Sequence, residues 1–290
     1  MTEILLFGGW KEKKSVYSYS PASKQWKKLP DLPSDRASHQ SIAIDRHIYL
    51  VGGDKNKTID RYDPVNKTVS TVASMESPIF SFGMCLYKGN QIIVAGGCTD
   101  QNDVSNSTFL FDTTTNSFKE VGKMTSGRRA FVLVNCCNTV YAIGGFSTEY
   151  DYLRSIEEFD PITEIWKKVK AKMKVARSSH QAVAHKHFIY VFGGKKKVFG
   201  SARVLDSIEK INTKTNCVEL LTVKLEWPRM QFAAASKSSQ VFLFGGHFSY
   251  YLTKTFEVFD LEQENILEGK DVPTENNDFT ACVFQRNSFS

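Results

Sequence analysis

Six times along the chain a short apolar run ends in a glycine pair: ILLFGG, IYLVGG, IIVAGG, VYAIGG, IYVFGG and VFLFGG. The first glycines, Gly8, Gly52, Gly96, Gly144, Gly193 and Gly245, are spaced 44, 44, 48, 49 and 52 residues apart. A period of this size marks an array of similar units, and it constrains the fold before any other feature does. Each unit carries a second landmark, an apolar residue followed by a small polar one: Tyr19-Ser20, Tyr62-Asp63, Phe111-Asp112, Phe159-Asp160, Ile211-Asn212 and Phe259-Asp260. Six residues after each polar residue comes Trp26, Val69, Phe118, Trp166, Val218 or Ile266. The gap from Gly-Gly to the polar residue, in contrast, runs from ten residues in the second unit to eighteen in the fifth. A fixed spacing is what a tight turn between paired strands imposes, and a free one is what a surface loop tolerates.

The second unit serves as template. Ser38 to Ile44 alternates as a strand, Asp45-Arg46 turns the chain, and His47 to Gly52 is an apolar strand covered on both faces. Thr58 to Tyr62 is a third strand, 63–67 is a turn with Pro64 and Asn66 where turns want them, and Thr68 to Val72 is a fourth. Helical periodicity is absent throughout. Four short antiparallel strands, here lettered a to d, cannot bury both faces alone, and stacking the units round an axis solves this. The expected fold is therefore all-β, a six-bladed propeller filling residues 1–290 as one domain. Blade II is expected at 37–72, blade III at 80–121, blade IV at 129–169, blade V at 178–221 and blade VI at 231–268. The chain opens directly at a strand b, and 279–284 reads as an unpartnered strand a. Blade I is therefore expected to join 1–30 with 279–284, so that the two termini close the ring.

Gly-Gly after an apolar strand, then Tyr-Asp-Pro, then Trp six residues after the Asp, resembles the Kelch repeat. Phe159-Asp160-Pro161 with Trp166 is the closest copy and Tyr62-Asp63-Pro64 another, while Asn212-Thr213 and Asp260-Leu261 depart from it. The late strand a is similar to the closure of Kelch domains in BTB–Kelch adaptors of cullin ubiquitin ligases. The resemblance implies the substrate-recognition part of such an adaptor, with the cullin held by BTB and BACK regions not present here. Actin-associated Kelch scaffolds are the alternative it implies, and Kelch-like sugar mutarotases or copper oxidases a more distant one.

Loops d–a and b–c share one rim. Sixteen residues before the first glycines lie Arg36, Phe80, Arg128, Arg177 and Arg229. A guanidinium fits a carboxylate bidentately, and a ring of four would focus positive potential on the mouth. The resemblance points the same way, because such arginines often hold acidic peptides in BTB–Kelch adaptors. The other reading is that each arginine braces its own loop, with Asp35 beside Arg36 as one available partner. The b–c loops add Tyr150 and Tyr152, then Phe199 and Arg203, then Phe248, Tyr250 and Tyr251, the residue types of which interaction hot spots are made. His39 and His180 share a register with Phe131 and Phe232, which makes them packing residues rather than catalytic or metal-binding ones.

No G-x-S-x-G, HExxH, P-loop or CxxC occurs, so the expectation is a binding module without catalytic residues, metal or cofactor. The six cysteines are expected to be buried free thiols. A net charge of +6 hints at anionic partners, but nothing in its distribution specifies nucleic acid. With no apolar run of membrane-spanning length and no signal-peptide pattern at the start, no membrane partner and a cytoplasmic location are expected.

Overall fold

The computed structural model describes residues 2–99, 103–147, 151–248, 251–267, 269 and 271–285. Six four-stranded antiparallel sheets form the blades of a propeller. The template unit is strands Gln40–Ile44, His47–Val51, Thr58–Asp63 and Thr68–Ser74, paired in sequence order. Blade I is closed by the tail: Thr280–Gln285 runs antiparallel to Thr2–Phe7, from Thr2 opposite Gln285 to Phe7 opposite Thr280. Strand b has four buried residues in every blade, as its apolar composition requires.

The fixed six-residue spacing is a cross-strand pairing. Tyr19 lies opposite Trp26, Tyr62 opposite Val69, Phe111 opposite Phe118, Phe159 opposite Trp166, Ile211 opposite Val218 and Phe259 opposite Ile266. The polar residue caps the turn between them. Asp63, for example, accepts the backbone N–H groups of Val65 and Asn66, and Asp160 accepts those of Ile162 and Thr163. These donors, together with Lys167 at Asp160, hold both carboxyls below the usual carboxylate range despite some opposing burial. Each such turn carries a left-handed residue at one position: Lys24, Lys67, Asn116, Glu164, Asn216 or Glu264.

The glycine pairs mark where blades touch. A Cβ on Gly8 would lie 2.3 Å from the Arg36 carbonyl oxygen and 3.1 Å from the His39 ring, and φ there is +60°. Only glycine relieves both the left-handed backbone and the contact. The same ring contact recurs with Phe82 against Gly52, Phe131 against Gly96, His180 against Gly144, Phe232 against Gly193 and Phe279 against Gly245. His39 and His180 therefore occupy a phenylalanine position. Both are buried, and burial followed by the nearby Arg36 or Arg177 charge lowers their pKa, that of His180 to about 3.

A closed belt of backbone hydrogen bonds rings the axis. The N–H of Ser38 donates to Asp278, Ser81 to Ser38, Ala130 to Ser81, Ser179 to Ala130, Gln231 to Ser179 and Asp278 to Gln231, at 2.7–3.2 Å. All six residues are left-handed, with φ between 50° and 55°. Each blade thus grips the next by the same bond, and Asp278, on the C-terminal segment, supplies the sixth link.

Candidate functional site at the mouth of the ring

The d–a and b–c loops meet on one face. Isolated bridges tie Phe80 to Cys98, Arg129 to Phe146, Ser178 to Lys195 and Met230 to His247. Beneath them the axis holds a cavity of about 110 Å³ whose lining includes Ser38, Ser81, Ser179, Gln231 and Asp278.

The in-register arginines are at this rim but do not open onto it. Arg36, Arg128, Arg177 and Arg229 are at most 1% exposed. Each reaches back across its own blade. One Nη donates to the carbonyl of the first glycine, Gly52, Gly144, Gly193 or Gly245, at 2.6–3.1 Å. The other pairs with a buried acid on strand c, Asp60, Glu157, Glu209 or Glu257, at 2.5–2.6 Å. The acids are themselves held. Glu209 accepts the N–H groups of Lys174 and Val175, and Glu257 those of Glu226 and Trp227. Burial lowers each guanidinium's pKa, and the acid partner offsets only part of that. Reading the four as a cationic ring for a guest is therefore corrected. The guanidiniums fasten strand c and the d–a loop to the glycine turn, and a guest would have to break those bonds to touch them. The count of sixteen also slips in blade III. Gly53 N–H bonds Ile79, where the other blades offer an arginine or Asn276, so Ile79 rather than Phe80 is the equivalent residue.

Most of what faces outward is on the b–c loops, with the 44% exposed Trp227 on a d–a loop beside them. In blade V, Lys195–Val198 pairs with Ser201–Val204 as a separate two-stranded hairpin, anchored at Lys195 to Ser178, with Lys196 directly opposite Arg203. Like charges across an exposed ribbon are unfavourable by a few tenths of a kcal/mol to about 1 kcal/mol. Lys196, Lys197 and Arg203 join no ion pair among the described residues, whereas Lys186, Lys210 and Lys224 of the same blade do. At the hairpin tip Phe199 is fully exposed and left-handed, at φ 47°. A bulky side chain in that backbone region, with no packing to hold it there, marks a strained and presented position.

Blade VI adds a two-residue ribbon that sets Phe248 opposite Tyr251, both exposed. In blade IV, Tyr152 is half-buried, edge-on to Phe146 at 5.2 Å, and shares a notch with Asp151, Lys174, Lys196 and Lys197. Tyr150 and Tyr250 lie outside the described residues. Two residues that the pattern of repeats did not single out also stand here. Trp10, just after the first glycine pair, is 56% exposed with Lys13 over its ring, and Arg129 lies over Phe146 at 5.3 Å. Their signal was position: each immediately follows a landmark residue, Gly9 or Arg128. No group of three or more His, Cys, Asp or Glu side chains able to hold a metal ion occurs among the described residues. Nor do these residues include a helix long and apolar enough to cross a membrane.

The family model described as the KLHDC2/KLHL20/DRC7 Kelch-repeats domain matches residues 1–145 and again 62–246. Among curated relatives, Kelch repeat and BTB domain-containing protein 8 of Rattus norvegicus is 29% identical over 234 residues, covering 77% of this chain and 38% of the relative. Kelch-like protein 40 of Xenopus tropicalis is 29% identical over 177 residues, covering 57% and 28%. Kelch-like protein 36 of Bos taurus is 24% identical over 277 residues, covering 90% and 44%. The chain thus spans less than half the length of each of these relatives.

Proposed function

We propose, from the premise that the chain belongs to the Kelch-repeat family, that its mouth face is a protein-recognition surface. On this reading it is the substrate-recognition domain of a BTB–Kelch adaptor for a cullin ubiquitin ligase, the cullin being held by BTB and BACK regions outside these 290 residues. The observation that carries the binding role is the blade V hairpin. It presents one strained, fully exposed aromatic and three cations with no acid partner among the described residues, beside the exposed Phe248 and Tyr251. Aromatic and arginine anchors on a rigid scaffold are what a partner's pocket grips. Tyr152, Phe199, Arg203, Phe248 and Tyr251 are the contact residues of this reading, and a partner with acidic side chains fits the unpaired cations best.

The test is affinity capture of partners by wild type and by Phe199→Ala/Arg203→Ala. Loss of a hot-spot side chain costs about 2 kcal/mol or more, roughly a thirtyfold weakening. The double variant should therefore lose its partner while melting like wild type, and unchanged capture of every partner removes the reading.

A further inference from the structure

On the face opposite the mouth, blade IV makes its a–b turn with two adjacent cysteines. Strand a ends at Cys136, opposite Thr139, and Cys137-Asn138 form the two-residue turn, both left-handed at φ 53° and 64°. Two-residue hairpin turns with both φ positive favour Asn, Asp and Gly, so a cysteine there lacks an ordinary conformational reason. The turn brings both sulfur atoms to one acceptor. Cys136 Sγ lies 3.5 Å and Cys137 Sγ 3.3 Å from the carbonyl oxygen of Lys186, in the facing turn of blade V. Cys136 also approaches the Phe188 carbonyl at 3.9 Å and Thr213 Oγ1 at 4.0 Å. The two thiols differ in access: Cys136 is 1% exposed, in the core beside Ile189 and Ile211, while Cys137 is open to solvent. The expectation of six buried thiols is corrected here, since Cys137 and Cys217 are both exposed.

We propose that Cys136 and Cys137 form a chelating dithiol that binds soft, thiophilic centres of the trivalent-arsenical class. One thiol is anchored in the wall between blades IV and V, and the other is the entry point. Two sulfur ligands held side by side bind one centre far more tightly than either alone, because the second bond is intramolecular. Thiolates select soft centres, and hard cations would need oxygen ligands that the pair does not supply. Burial, followed by the neighbouring Cys137, pushes the Cys136 thiol up to about 11. Cys136 therefore rests as a neutral thiol, and its proton leaves when its sulfur is bound. With a monosubstituted arsine oxide, two As–S bonds form, the As=O bond is lost, and its oxygen leaves with the two thiol protons as one water. No oxidant is consumed.

The probe is a phenylarsine oxide, free and on resin, with the folded 290-residue chain. Wild type should take up one arsenical, lose two titratable thiols, and stay on the resin through a monothiol wash but not a 1,2-dithiol wash. Cys137→Ser changes an exposed turn residue and should cut retention at least tenfold. Cys217→Ser, which removes the other exposed thiol, should not. Circular dichroism of Cys137→Ser confirms that any loss is not unfolding. Retention that survives Cys137→Ser, or wild-type retention that a monothiol reverses, overturns the proposal. Because the site lies on the opposite face, either result leaves partner capture at the mouth as a separate outcome.

Discussion

Replacing Arg177 by methionine separates bracing from binding in one experiment. Arg177 donates to Gly193 O at 2.8 Å, Ser207 O at 3.1 Å, Ser207 Oγ at 3.2 Å and Glu209 Oε1 at 2.6 Å, with both charges fully buried. Methionine fills much of the same volume but strands the Glu209 carboxylate, which keeps only the N–H groups of Lys174 and Val175. Removing one member of a buried ion pair costs about 3–5 kcal/mol. For 290 residues, with unfolding entropy near 2.1 cal/mol/K per residue, that lowers Tm by about 5–8 °C. Replacing both partners, as Arg177→Met/Glu209→Leu, removes the stranded charge. It should recover about 2 kcal/mol or more relative to the sum of the singles. The assay is thermal unfolding followed by circular dichroism, run beside partner capture. If Arg177→Met melted within a degree of wild type yet lost its partner, the guanidinium would be serving a guest and the bracing assignment would fail.

Asp278, in the axial belt, is pushed up to about 6 by burial, against the opposing hydrogen bonds from Gln231 and Ser38. A carboxyl raised in the fold keeps its proton there after the unfolded chain has lost it, so stability falls as pH rises from about 4 to 6; Asp278→Asn should remove that slope and gain about 2–3 kcal/mol at pH 7, read from urea midpoints across pH. Thr108→Val leaves the buried Trp166 indole N–H, now 2.9 Å from Thr108 Oγ1, without its acceptor. A loss of about 1–3 kcal/mol is expected in urea unfolding, and a neutral result would show that the indole finds another partner. Cys282→Asp puts a charge on the closing strand among Leu5, Phe7, Ile48 and Tyr62, with an expected cost of several kcal/mol in thermal unfolding. A wild-type melting curve would mean that the ring does not depend on its clasp.

The fold was legible because every landmark of the repeat has a local cause. Gly-Gly is forced by a left-handed turn against the next blade's ring, and the polar residue with an apolar or aromatic partner six residues later by a capped hairpin. Phe279 to Phe284 announced itself as the strand that the first unit lacked, and it pairs with Thr2–Phe7 one residue out of the expected bounds. The outer site was only partly legible. Loop length and composition pointed to Phe199, Arg203, Phe248 and Tyr251, but a sequence carries no sign that Phe199 sits left-handed and unpacked. Nor does it show that Lys196 faces Arg203, because the hairpin register depends on which two residues turn.

The arginines were misread for a reason the sequence itself contains. Counting back three residues from the polar turn residue gives Asp60, Glu157, Glu209 and Glu257 in the four blades that have the arginine. In the two that lack it, the same count gives Phe109 in blade III, whose arginine position is Ile79, and Tyr17 in blade I, whose position is Asn276. Cation and anion are present together or absent together, as a pair buried in common demands, since either alone would be an uncompensated charge. A charge that recurs in a repeat is therefore to be read against its complement in the same register before it is offered to a partner. By that rule Arg36, Arg128, Arg177 and Arg229 belong to the scaffold. Lys196, Lys197 and Arg203, which join no ion pair among the described residues, are the cations that the proposed recognition surface would use instead.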